Sequence, residues 1–284
     1  RLDDAAMVDL VEAAPAEVTV EVKAASGHGA TANYEVLVLA RNQWKRSLLE
    51  LTAAFVQPNH PVVAEILTDA SVRLQAATGS NSLNGYQSGK PARVRAMAEA
   101  IFMALRARVA NYHEMPAGGE RDWGQLVRPL DQVLEERQGN CIELACAFAS
   151  CLEQAGISPV VYFVHGHAFG GFFTEPPAGD ESANRWNHPL TTSRAAISNL
   201  MDRGDLVVPV ETTMIPGTAT FDQAVRATRG EFAERSVECD ACAQLLTAGA
   251  PEDVMPHLEG ALDVEKAHRD GVRRSWSPAR PPPL

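Results

Sequence analysis

The stretch "RQGNCIELACAFASCLEQAG", residues 137–156, carries three cysteines at equal spacing, Cys141, Cys146 and Cys151. The spacing of apolar residues predicts a helix from Cys141 to Gln154, stopped by Gly156 and Pro159. On a helix, residues five apart are separated by about 140°, so the three thiols do not converge on one metal ion. Leu144, Ala145, Phe148, Ala149 and Leu152 follow Cys141 at helical intervals and form one apolar stripe. Cys146 and Cys151 fall off that stripe and read as packing residues, since free cysteine behaves as a small hydrophobe. Cys141 differs by position. Asn140 is a good N-cap, which puts Cys141 at the first helical position. There the helix dipole and the unpaired N–H groups favour a thiolate and can hold the oxyanion formed when it attacks a carbonyl. A structural cysteine at a buried helix start is the alternative reading.

A thiolate nucleophile needs a base, and the base needs an acceptor to orient it. His167 opens the apolar run "HAFGGFF", a strand candidate whose glycines, Gly170 and Gly171, allow a close approach by a ligand or another backbone. His165 competes for the same role. Glu211 closes "LVVPV" (206–210), and a carboxylate ending such a run needs a partner. Asp202 and Asp205, before that run, compete with it. An ordinary strand-end glutamate facing water is the plain alternative.

Around these residues the chain reads as α+β. "VTVEVKAA" (18–25) and "YEVLVLAR" (34–41) predict a hairpin with a long glycine-containing loop, and "ARVRAMAEAIFMALRARV" (92–109) predicts a helix. "VVYFV" (160–164) is a strand, 174–190 an exposed polar insertion, "SRAAISNLMDRG" a helix, and another helix begins near Phe221. "LEGALDVEKAH" fits either helix or strand. The chain has 284 residues, 45% hydrophobic and 21% charged, with a net charge of −11. The acidic balance argues against binding to nucleic acid. No apolar run reaches the ~18 residues of a membrane span. The five cysteines, an odd count, fit a reducing compartment and a cytoplasmic protein.

The order helix-Cys, strand-His, strand-acid resembles the transglutaminase-like superfamily, whose fold class is that of papain-type cysteine proteases. "GNCIELACAFASCLEQAG" resembles its nucleophile helix, "GHAFGGFF" its histidine strand and "VPVETT" its acid strand, where Asp is the commoner residue. "AAFVQPNHP", "LNGYQ", "VLEERQGNC" and "LDVEKAHRDGV" further resemble the transglutaminase-like modules of large bacterial multidomain proteins with helicase- or nuclease-type partners. The resemblance implies a nucleophile helix packed on an antiparallel sheet, with Cys141 as nucleophile, His167 as base and Glu211 as orienting acid. It divides the chain into an N-terminal β region (1–45), a catalytic domain (46–272) and a proline-rich tail or linker (273–284).

Gln125 and Gln87 are the two amide candidates for an oxyanion donor. "CDAC" (239–242) has zinc-ligand spacing, but His257 and His268 are too far apart for a finger, and the metal reading is disfavoured. "HEMPA" at His113 lacks the second histidine of a zinc-protease helix. The expected function is a cysteine-dependent hydrolase or acyltransferase acting on amide bonds of a protein or peptide, without metal or organic cofactor, alongside other domains of a larger polypeptide. A non-catalytic peptide-binding or scaffolding module is the alternative.

Overall fold

The computed structural model describes residues 10–27, 29–113, 124–164, 166–176, 185–202, 206–234 and 258–274. The chain divides into two compact units. The first contains residues 1–46 and takes in 117–127; the second contains 47–116 and 128–284.

In the first unit, β1 (Ala14–Lys23) and β2 (Gly29–Val38) form an antiparallel ribbon. The ladder extends through the residues that composition assigns to the loop: Ala30, Thr31, Ala32 and Asn33 all pair across it. Directly opposed residues share a face. The register therefore puts Ala14, Ala16, Val18, Val20 and Val22 beside Val38, Val36, Tyr34, Ala32 and Ala30 on one wholly apolar face. The other face carries Glu17, Thr19, Glu21 and Lys23 beside Glu35, Asn33, Thr31 and Gly29, with the apolar pair Pro15 and Leu37 at the end away from the turn. Nearly every ribbon residue is exposed. In the same unit β3 (Gln43–Trp44) later pairs with the segment Gln125–Leu126.

The second unit is α+β with antiparallel pairing in its main sheet. It starts with α1 (Pro61–Thr78) and α2 (Pro91–Arg108), each with proline in its first turn, where the missing N–H costs nothing. Then come β4 (Asn111–Tyr112), the first unit's β5 (Gln125–Leu126), α3 (Leu130–Glu135), β6 (Gln138–Gly139) and α4 (Cys141–Gln154). They are followed by β7 (Pro159–Val164), β8 (His167–Phe173), β9 (Leu190–Thr191), α5 (Arg194–Asp202) and β10 (Val207–Val210). The last elements are α6 (Phe221–Glu234), β11 (Leu258–Asp263) and α7 (Val264–Arg269). "LEGALDVEKAH" is thus both strand and helix, with Asp263 as the N-cap at the change. The main sheet has the order β10-β8-β7-β11-β9.

α4 packs on β7 and β8 and on α1 and α2. It is buried all round from Ile142 to Leu152, not along one stripe. Leu144, Phe148, Cys151 and Leu152 share one core with Ile66, Ile101, Phe102 and the sheet residues Phe172 and Val208. A Cβ on Gly170 would come within 3.0 Å of the Phe148 ring, so glycine there lets the helix lie close against the sheet.

The expected exposed insertion at 174–190 is corrected at Arg185 and Trp186, both of them buried. The Arg185 guanidinium donates through Nη2 to Asp263 Oδ1 at 2.6 Å, and Trp186 packs edge-on to Phe173. Among the described residues, no helix is long and apolar enough to cross a membrane. The proline-rich tail from residue 275 onward lies outside the described residues.

Candidate active site

The packing of α4 on β8 sets the level of the site. Phe148 meets Gly170. Seven residues back along a helix is about 10 Å, and three residues back along a strand is also about 10 Å. Cys141 and His167 are those residues, so the helix start and the strand start come to one level. The other neighbour of β8 supplies the acid. β10 pairs antiparallel with β8, Val210 opposite Gly170, so the next residue, Glu211, continues toward His167.

Cys141 is the first residue of α4 and is partly exposed, unlike Cys146 and Cys151, which are buried. A capping box holds the helix start. Asn140 Oδ1 accepts from the Glu143 N–H at 3.1 Å, and Glu143 Oε2 accepts from the Asn140 N–H at 3.0 Å. The Glu143 carboxylate is itself buried and is clamped by Arg128 through its backbone N–H (2.8 Å), Nε (2.9 Å) and Nη2 (2.6 Å). With Oδ1 of Asn140 on Glu143, and the Asn140 carbonyl accepting from Leu144, the cap is committed to the third and fourth residues. The N–H groups of Cys141 and Ile142 belong to the part of the turn that has no intrahelical acceptor.

Glu211 is 3% exposed, which corrects the picture of a strand-end glutamate facing water. Its Oε2 lies 2.9 Å from His167 Nε2, and its Oε1 accepts from the Thr213 N–H (3.0 Å) and hydroxyl (2.6 Å). The same side chain caps the short 3₁₀ turn Thr212–Met214, so its rotamer is fixed before the histidine is considered. The Cys141 side chain is close enough to His167 to act on its titration. Since Nε2 faces Glu211, Nδ1 is the ring nitrogen left for the thiol. The Phe169 ring, tilted at 5.9 Å from the imidazole, walls this strand end.

The titration behaviour follows from these contacts. Burial works against the His167 imidazolium, but the hydrogen bonds to Cys141 and Glu211 and the attraction of both outweigh it, raising the pKa to about 9. Burial raises the Glu211 carboxyl, but the bonds to His167 and Thr213 more than offset this and hold it below its ordinary value. Cys146 and Cys151 go the other way: burial drives both thiols far up, out of the range of thiolate chemistry.

Gln87 is exposed, and its neighbour Tyr86 donates to the carbonyl of Phe173 at 3.1 Å, at the far end of β8. Six residues of strand, roughly 20 Å, lie between that point and His167, so Gln87 is not an oxyanion donor. Gln125 lies in the first unit, opposite Trp44 on β5. His165, Asp205, Cys239, Cys242 and His257 lie outside the described residues, as does the side chain of Asp202. His268 is engaged elsewhere, between the Ala53 carbonyl (2.8 Å) and Glu153 (3.2 Å). Among the described residues, no cluster of three or more metal-ligating side chains is present. The Arg128–Glu143 clamp was not anticipated from sequence; "GNCIE" does hold its signal, a cap residue followed three positions later by Glu. No family model, no curated protein and no solved structure matches the chain.

Proposed function

We propose that this chain is a cysteine-dependent hydrolase or acyltransferase of the transglutaminase-like kind, acting on amide bonds of a protein or peptide. The observation that carries the reading is the line Cys141–His167–Glu211. A partly exposed thiol at a helix start lies beside an imidazole whose Nε2 is held by a buried carboxylate.

In this reading the Cys141 thiolate attacks the amide carbonyl carbon. A C–S bond forms and the carbonyl electrons move to oxygen, where the first-turn N–H groups of α4 face the developing charge. The imidazolium of His167 gives its proton to the departing nitrogen, the C–N bond breaks, and an amine leaves from a thioester. The neutral imidazole then takes a proton from water, or from an acceptor amine, as that nucleophile attacks the thioester. Water gives hydrolysis and an amine gives acyl transfer. Glu211 stays ionised, holds the ring and stabilises the imidazolium.

Iodoacetamide at about pH 7 tests the nucleophile. Cys141 should alkylate well before Cys146 and Cys151, and His167→Ala should slow it at least tenfold with the fold intact. Equal, slow labelling of the three thiols would remove Cys141 from the role. A peptide-amide library read by mass spectrometry then tests turnover. Fast alkylation of Cys141 without any thioester or product would favour a binding module instead.

A further inference from the structure

Among the described residues, most of the apolar face of the β1–β2 ribbon is exposed: Val22 is 62% and Tyr34 57% exposed. A two-stranded ribbon with nothing on its hydrophobic face is marginal in water, and a contiguous apolar patch of this kind marks a contact surface. The order of side chains on that face says what fits it. With the strands vertical and the turn at the top, the upper half of β1 is tall, with Val20 and Val22, and faces small Ala32 and Ala30 on β2. In the lower half the pattern is exchanged: β1 is small, with Ala14 and Ala16, and β2 is tall, with Val38 and Val36. Tall and short quadrants therefore alternate diagonally.

We propose that this face joins two copies of the chain in a twofold-symmetric dimer. Turning a second copy by half a revolution about an axis parallel to the strands exchanges left and right but not top and bottom. Val20 and Val22 of one copy then seat over Ala32 and Ala30 of the other, and Val36 and Val38 seat over Ala16 and Ala14. At the centre Val18 packs on Tyr34, twice. Every quadrant meets its complement, as an isologous interface requires, in an aligned two-sheet sandwich about 10 Å thick. The face has ten side chains, four of them alanines; if each gives up on the order of 40 Å², two copies remove about 800 Å², the size of a weak, reversible contact. The opposite face, charged at Glu17, Glu21 and Glu35 and apolar only at Pro15 and Leu37 near its lower end, stays in water.

Sedimentation velocity of the full chain over roughly 1–100 μM tests this, the concentration range in which a weak, reversible dimer forms and dissociates. The wild type should pass from monomer to dimer. Val20→Glu should weaken the dimer at least 100-fold, while Thr19→Glu, on the other face, should leave it within about threefold. Hydrogen exchange of the ribbon amides at low concentration checks that each variant keeps its hairpin. The decisive variant is Ala32→Leu. It adds apolar surface but fills the hollow that Val20 needs, so it should weaken the dimer at least tenfold. Tighter association of Ala32→Leu would show unspecific adhesion and overturn the pairing. A wild type that stays monomeric throughout would overturn it as well and assign the face to a different protein or another part of a longer chain.

Discussion

Two antiparallel ladders in this molecule are built from opposite patterns. β7, "PVVYFV", and the body of β8 are apolar at successive positions and buried on both faces, between α4 on one side and a second core with Trp186 and Ile197 on the other. β1 and β2 alternate apolar and polar residues except at Pro15 and Leu37, and nearly all of their described residues are exposed. A strand that is apolar on both faces is specified by what covers it, whereas an alternating strand is specified for one cover only. The buried ladder can therefore hold the His167–Glu211 pair at fixed geometry, because neighbours on both faces determine where the two side chains go. The open ladder fixes only its own register, and two strands alone are marginally stable.

The largest contrast is a buried charge. Val161 in β7 is 0% exposed and Val18 in β1 is 41% exposed. Val161→Asp should cost more than about 4 kcal/mol and prevent folding of the second unit, since the carboxylate has neither water nor partner. Val18→Asp should cost about 1 kcal/mol or less. Chemical denaturation of the two variants measures this, and similar losses from both would mean that the ribbon face is covered within the chain.

Next is the ion pair beneath the sheet. Arg185 joins the covering segment to Asp263, whose carboxyl burial pushes upward despite its hydrogen bonds to Arg185 and the Lys266 N–H. Arg185→Ala should cost about 3–5 kcal/mol, because it strands a buried carboxylate. The double change Arg185→Leu with Asp263→Asn should recover part of it. A loss under 1 kcal/mol in the single variant would show that Asp263 reaches water without Arg185.

Glu211→Gln comes third and tests the proposed activity. It keeps an acceptor but removes the charge that stabilises the imidazolium, so turnover should fall on the order of 10²-fold or more, about 3 kcal/mol or more. The His167 titration should move down from about 9, read by NMR of the ring. Cys141→Ala should move it down too, since the thiol contributes to the same shift. The stability signs follow. His167 has a folded pKa above its unfolded value near 6.5, so its contribution is complete below that value and is lost as pH rises through about 9. Glu211 has a depressed folded pKa, so its contribution is present above the ordinary carboxylate value and is lost as pH falls through the folded one. Unchanged ring titration in Glu211→Gln would remove the carboxylate from its orienting role.

The same contrast explains what could be read from sequence. The limits of α4 and its cap were legible because Asn140, the helical spacing of apolar residues and Gly156 are local signals. The histidine strand was legible as an apolar run, and its limits match His167–Phe173. The hairpin was legible too, but not its length, since "GATAN" resembles loop by composition and pairs only because β1 lies opposite. The burial of Arg185 was not legible. Its partner is 78 residues away, and an arginine among prolines and acids carries no local mark of a buried pair. The all-round burial of α4 was hidden for a related reason: small residues such as Ala147 and Ser150 count as neutral until a second layer is known to press on them.

The smallest expected effect lies on the open ladder. Glu17 and Glu35 are directly opposed across β1 and β2 on the polar face, and both are exposed. Like charges facing each other across strands destabilise the pair, and an opposite pair contributes roughly 0.2–1 kcal/mol. Glu17→Lys exchanges repulsion for attraction and should raise the protection of the ribbon amides two- to fivefold in hydrogen exchange, within about 1 kcal/mol. It should leave the buried ladder unaffected. The gain is between solvated charges, so it should shrink by more than half at about 1 M salt, where the screening length is near 3 Å. Lys23 and Glu21, 3.4 Å apart on the same face, already form such a solvated pair and give the comparison. A gain that persists at high salt would mean that the ribbon is stabilised by lysine packing and not by charge, and a loss would mean that Glu17 already serves a partner on that face.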